Sequence, residues 1–246
     1  MRFPALRGII RRRILLNFRV DPEVMQRQLP PPFRPQLIHG SALAGICLIR
    51  LERLRPSGVP SLTGVSSENA AHRVAVTWTD AATGEEQTGV YISRRDTGSA
   101  LTALAGGRLF PGEQQRAQFR VSEEQGTVSL MMVSQDREAN VQVVARVGGD
   151  LPSHSIFASL EEASRFFAAG TTGYSVCKGG TRLDGVALRT SGWRLNTLDV
   201  RSIASTYFES NDRFPPGSVV FDSGLIMRNI SHEWYPAPAL VSALAC

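Results

Sequence analysis

The dominant signal along the chain is alternation of apolar and polar positions with a period of two. It is interrupted by runs apolar enough to be covered on both sides. Arg12–Val20 and Ser41–Leu54 are such runs. Glu68–Thr79 and Thr88–Arg94 flank a polar turn at Asp80–Gly84 and predict a hairpin. Arg116–Glu123 and Thr127–Ser134 predict another around Gln125-Gly126. Val141–Val147, Tyr174–Lys178, Arg182–Thr190 and Leu225–Trp234 read as further strands.

Helical signals are fewer. Asp21-Pro22 supplies an N-cap and a proline at the first helical position, predicting a helix to about Leu29. Ser99–Ala105 reads as a short helix stopped by Gly106-Gly107. Ser159-Leu160-Glu161-Glu162 matches a capping box and opens a helix to about Ala169. Asp199–Glu209 reads as the last helix. About ten strands and four short helices predict a mainly β (β-rich α+β) fold. Its strands are mostly antiparallel, compatible with a closed cone or barrel, in one domain over residues 1–246.

Two strands place charged groups on apolar faces. In Glu68–Trp78 one face carries Glu68, Ala70, His72, Val74, Val76 and Trp78; the other carries Asn69, Ala71, Arg73, Ala75 and Thr77. Strict alternation also puts Ile226, Arg228, Ile230, His232 and Trp234 on one face. Buried, such groups need partners or a ligand; at a strand end they are solvated, and Arg228 equally suits an interior Arg–Glu pair. Arg94-Arg95-Asp96 offers a guanidinium fork for a carboxylate or phosphate, or an exposed charged loop. Glu113 closes the Gly-rich stretch Gly106-Gly107-Arg108-Leu109-Phe110-Pro111-Gly112-Glu113, which lacks the Gly-Lys-Ser/Thr of a phosphate loop. The histidines are scattered, so no metal motif appears, and Gly-x-Ser-x-Gly is absent.

Composition narrows the chemistry. The 246 residues carry a net charge of +5. Residues 1–50 hold nine arginines against Asp21 and Glu23, so the basic character belongs to the first fifth. No reader motif accompanies it, and no nucleic-acid partner is expected. No apolar run is long enough to span a bilayer, so no membrane partner is expected either. Three scattered cysteines and the lack of a leader-like segment point to the cytoplasm. Of the 27 basic residues only Lys178 is a lysine, and it abuts a Gly-Gly turn.

The ordered motifs resemble the acetoacetate decarboxylase superfamily, and most nearly its YqjF-like branch. They are Arg11-Arg12-Arg13-Ile14-Leu15-Leu16-Asn17-Phe18-Arg19-Val20-Asp21, then Val24–Phe33, Ser67-Glu68-Asn69, the Gly106–Glu113 loop and Ser231-His232-Glu233-Trp234. The resemblance runs from about Arg11 to Trp234. It implies a β-rich cone or barrel around a buried pocket. It also implies a pocket arginine at Arg11, a pocket carboxylate at Glu68, and a loop where relatives carry a Schiff-base lysine beside a second lysine. Those two positions fall here on Gly112 and Glu113, neither of which can form an imine.

The expectation is a pocket protein acting on or binding a small organic (keto) acid without an imine. Glu68 and Glu113 are the catalytic candidates, with Arg11, His72, Arg94 and His232 as substrate-binding candidates and no cofactor or metal. If it is an enzyme, lyase, hydratase or enolising chemistry fits a carboxylate in a dry pocket. The alternative is a non-catalytic binding or sensing protein on the same scaffold. A homo-oligomer is compatible with either.

Overall fold

The computed structural model describes residues 4–60, 63–100, 103, 112–177, 180 and 182–241. Thirteen strands are hydrogen-bonded into one sheet that folds back on itself. In chain order they are β1 (Leu6–Val20), β2 (Arg34–Pro35), β3 (Leu37–Ile38), β4 (Ser41–Pro56), β5 (Val65–Thr79), β6 (Glu86–Thr97), β7 (Gln114–Glu124), β8 (Thr127–Ser134), β9 (Val141–Val147), β10 (Thr172–Val176), β11 (Arg182–Ser191), β12 (Asn196–Ser205) and β13 (Val219–Val241). Two helices, α1 (Pro22–Gln26) and α2 (Leu160–Ala169), complete the described elements.

Strands β13-β1-β4-β5-β6 form a wall shared by two closures. On one side β7, β8, β9 and β12 bridge the wall from β6 to β13; on the other, β10 and β11 do so. The pairings of β6 with β7 and with β10 are parallel, and the rest are antiparallel. The wall is therefore covered on both faces, which explains why β1 and β4 read as continuous apolar runs. Alternate residues feed two cores. Ile14, Leu16, Ala44, Ile46, Val74 and Val76 enter the larger; Leu15, Leu43, Cys47, Ala71 and Ala75 enter the smaller, beside Phe157 and Phe167.

Local chemistry fixes the turns and caps. Gln125 and Gly126 both take positive φ, the two-residue turn whose twist matches a hairpin, and hold Glu124 against Thr127. Asp21 Oδ1 accepts from the Glu23 and Val24 amides, but α1 ends at Gln26, three residues before Leu29, because Leu29 precedes Pro30. Ser159 Oγ accepts from the Glu162 amide, and Glu162 returns a carboxylate to the Ala158 amide rather than the cap's own. The expected helix over Ser99–Ala105 falls largely outside the described residues.

Two expectations are corrected. The Asp199–Glu209 segment is strand up to Ser205, not helix. A bulge between Val200 and Ser202 puts one extra residue in β12, so Val200 and Ile203 both pack inward three apart, a spacing that imitates a helix. Similarly, Ile226 and Ile230 do not share a face. Asn229 has φ 55° and, like Arg11 opposite it, is an extra residue in the ladder; Ile226 enters the larger core and Ile230 the smaller.

Candidate functional site

The bulge that shifts Ile230 also decides where the N-terminal arginines point. Arg11 is exposed and donates to Asn229 Oδ1 at 2.6 Å. The neighbouring Arg12 turns inward, 3% exposed, and donates from Nη2 to Glu68 Oε2 at 2.7 Å and from Nη1 to Glu123 Oε1 at 2.5 Å. Arg228 Nη1 meets the other Glu123 oxygen at 2.6 Å. Burial would raise the Glu123 pKa, but hydrogen bonds from Arg12 and Arg228 outweigh it and lower it. Glu68, which Arg50 also approaches at 4.0 Å, is thus one carboxylate of an ion-pair network, not a free acid in a pocket.

His72 is fully buried, its ring 4.3 Å from that of Tyr207 and tilted 34° to it, and neither ring nitrogen has a hydrogen-bond partner among the described residues. Burial, reinforced by the Arg94 and Arg213 charges, lowers its pKa to about 3, so it is neutral. Arg94 grips Asp96 and Asp136 with two-pronged hydrogen bonds of 2.8–3.2 Å. With Glu113, Arg94 lines an open cleft of about 360 Å³. The exposed Glu113 follows Gly112, whose φ is 76°. His232 lies buried against Trp234 at 4.6 Å, its pKa lowered to about 4 by burial and by the Arg13 charge. The six candidates are therefore dispersed: Arg94 and Glu113 share the cleft, and the others stand elsewhere. Lys178 lies outside the described residues.

What converges is a different set. On the smaller-core face, a largely apolar cavity of about 110 Å³ is lined by Arg13, Arg73 and Arg95, with Cys47, Phe167 and Trp193 among its other walls. No carboxylate belongs to its described lining. Among the described residues each arginine makes one hydrogen bond and keeps one nitrogen buried without a partner. Arg73 Nη2 donates to Asn17 Oδ1 at 2.7 Å, Arg13 Nε to Cys47 Sγ at 3.0 Å, and Arg95 Nε to Ser175 Oγ at 3.3 Å. Arg73 Nε, Arg13 Nη1 and Arg95 Nη2 are buried without a partner among the described residues. Burial lowers the pKa of both Arg73 and Arg95 to about 10, so both keep their charge at neutral pH. Arg73 lies over the Phe167 ring at 4.9 Å and Arg13 over Trp193 at 5.8 Å, offsetting part of the desolvation.

Three guanidinium groups and no acid in the described lining make this cavity the candidate anion site. An isolated buried cation costs several kcal/mol unless a counter-charge meets it. Arg95 and Ile92 line both this cavity and the open cleft, so the two are neighbours. Sequence reasoning missed the set because its three arginines come from three different strands. The available signal was Arg73, which shares a face with Asn69, Ala71, Ala75 and Thr77.

The DUF2071 model, described as an uncharacterized conserved protein, matches residues 10–224. The chain belongs to this family. Among solved structures, the DUF2071 chain is similar to acetoacetate decarboxylase from Legionella pneumophila, with a TM-score of 0.65 at 14% identity over 98% of this chain and 88% of that one. It is also similar to the enduracididine biosynthesis enzyme MppR complexed with pyruvate, with a TM-score of 0.61 at 14% identity over 98% and 91%. An acetoacetate decarboxylase-like enzyme from Sphingomonas wittichii RW1 aligns with a TM-score of 0.58 at 11% identity over 96% and 92%. No curated protein matches significantly in sequence. The fold is that of these acetoacetate decarboxylase-like structures. No helix among the described residues is long and apolar enough to cross a membrane.

Proposed function

We propose that this DUF2071 protein binds a small organic acid, with 2-oxo acids foremost, through Arg13, Arg73 and Arg95, and without Schiff-base chemistry at the 112–113 loop. The observation that carries the reading is three guanidinium groups, one fully and two partly buried, each with a buried unpartnered nitrogen and no acid in the described cavity lining. Carboxylates match that geometry because a guanidinium offers parallel donors to two oxygens. The small volume limits the ligand to a few heavy atoms. A similar scaffold crystallised with pyruvate supports the ligand class. The loop supplies Gly112 and Glu113, and Glu113 is exposed.

A second reading, binding without turnover, is favoured by one observation: Glu68 and Glu113 both stand outside the cavity lining, so neither is placed as its general acid or base.

The test is thermal melting and calorimetry with pyruvate, acetoacetate and acetate, the oxo acids also being followed by NMR for turnover. Pyruvate or acetoacetate should raise the melting temperature of the wild-type protein but not of Arg13→Met. Borohydride reduction in the presence of either should leave no adduct. Indifference to all three acids overturns the pocket reading; a reduced adduct on Lys178 overturns the exclusion of imine chemistry.

A further inference from the structure

Cys47 occupies the centre of the arginine set. Its cross-strand partners are Leu15 on β1 and Ala71 on β5. Arg13 and Arg73 stand two residues beyond those partners, on the same face and in opposite directions along the wall. They flank the sulfur at diagonal positions, within reach of long side chains. Gly45, opposite Arg73, leaves the room: a Cβ there would lie 3.4 Å from Arg73 Nη2 and 2.4 Å from the Leu16 carbonyl. Arg13 Nε donates to the Cys47 sulfur at 3.0 Å.

Among the lining side chains only Cys47 and Thr171 carry an atom able to attack an electrophile. A hydroxyl needs an adjacent base, and the described lining holds no His, Asp, Glu or Lys. Sulfur among cations does not need one. Independently, Arg73 is 5% exposed and its Nε is unpartnered at this cavity, marking where an anion would sit.

We propose that Cys47 is the nucleophile of the cavity, adding reversibly to the carbonyl carbon of a 2-oxo acid whose carboxylate is held by the neighbouring arginines. The inference rests on the carboxylate reading above. In the net step the thiol adds across C=O: the Sγ–C bond forms, the π pair moves to oxygen, and the thiol proton ends on that oxygen. No oxidant or second substrate is needed. One guanidinium balances the carboxylate, and another stabilises the oxyanion as it forms.

Iodoacetate and iodoacetamide test this on the wild-type protein. Both alkylate a thiolate with loss of iodide, but only iodoacetate carries a carboxylate. An ordinary thiol prefers the neutral reagent, so free cysteine is the control, and Cys177, which lines the neighbouring cleft with Arg95, is mapped beside Cys47. Peptide mapping should show Cys47 favouring iodoacetate by about ten-fold or more, the worth of one charge-assisted hydrogen bond. Pyruvate should protect Cys47, and Arg73→Met should abolish the preference. In parallel, [2-13C]pyruvate should give a bound tetrahedral carbon signal that disappears in Cys47→Ala.

If Cys47 is inert or prefers iodoacetamide, and the pyruvate carbon stays trigonal while pyruvate still raises the melting temperature of both wild type and Cys47→Ala, the nucleophile is refuted and the carboxylate pocket stands. If pyruvate shifts neither protein, the pocket reading falls and takes this proposal with it.

Discussion

Arg73 Nη2 and Asn17 Oδ1, both in fully covered side chains, meet at 2.7 Å and tie the anion cavity to the rest of the wall. Asn17 Nδ2 donates to Ser223 Oγ at 3.3 Å, and that hydroxyl donates to Asp222 Oδ2 at 2.8 Å. Asp222 is already met by the Ile156 amide, Ser155 Oγ and Arg19 Nε. The Arg73 charge is thus linked to a carboxylate only through two neutral groups, and no carboxylate among the described residues pairs with it directly.

Arg73→Met should therefore separate stability from binding. Removing a buried, unpaired cation and filling its volume should stabilise the ligand-free protein by about 1 kcal/mol, since buried charges replaced by apolar side chains of similar size commonly gain that much. The same variant should lose the pyruvate-induced rise in melting temperature. Urea unfolding with and without pyruvate checks both. A destabilised variant that still binds would show that Arg73 is structural.

Arg12 should behave oppositely. It is paired to Glu68 and Glu123, so Arg12→Met leaves two carboxylates facing a buried gap. A cost of about 3 kcal/mol is expected, with pyruvate binding to the surviving folded fraction unchanged. Adding Glu68→Gln should recover part of the loss. A double-mutant cycle measured by urea unfolding reads the coupling, and strict additivity would deny the pairing.

Gly112 sits at the mouth of the cleft with φ 76°, and a Cβ built there would fall 2.7 Å from Ser175 Cβ. A side chain at this position meets both backbone strain and a wall. Gly112→Lys should consequently lower stability by about 1–3 kcal/mol and give no borohydride-trapped imine with acetoacetate. Gly112→Ala should be destabilised similarly, showing that the obstacle is the backbone and the Ser175 contact rather than the charge. Trapping on Gly112→Lys, read by mass spectrometry, would overturn this.

The sequence made the β-rich class, most strand positions and both hairpins legible, because alternation and turn residues are local signals. It failed where one residue altered the phase. Arg11 and Asn229 are extra residues that exchange the faces of everything beyond them, so Arg12 rather than Arg11 meets Glu68, and Ile230 changes core. The Val200–Ser202 bulge disguised a strand as a helix in the same way. The anion site was invisible for another reason. Arg13, Arg73 and Arg95 come from three strands whose adjacency is set by pairing β1 to β4, β4 to β5 and β5 to β6, which no local window records.

The two buried histidines give the fold a pH dependence with a definite sign. His72 and His232 have folded pKa values of about 3 and 4 against 6.5 for an exposed histidine, burial being the main cause in both. Between those limits the unfolded chain binds more protons than the folded one, so stability rises with pH. Their contribution is fully present above pH 6.5 and is lost as the pH falls toward the folded values. At pH 5 the unfolded histidines sit 1.5 units below their own pKa, so each neutral histidine should remove about 2 kcal/mol relative to pH 7.5. Asp136, whose pKa the Arg94 hydrogen bonds hold below the usual carboxylate range, acts in the same direction only under still more acid conditions. The window from pH 7.5 to 5 thus reports chiefly on the histidines. Urea unfolding at half-unit intervals should fall steadily across it, and His232→Gln should remove about half of the slope. A flat profile would mean that both rings are charged or solvated in the folded protein, and His72 could not then be the neutral ring packed against Tyr207.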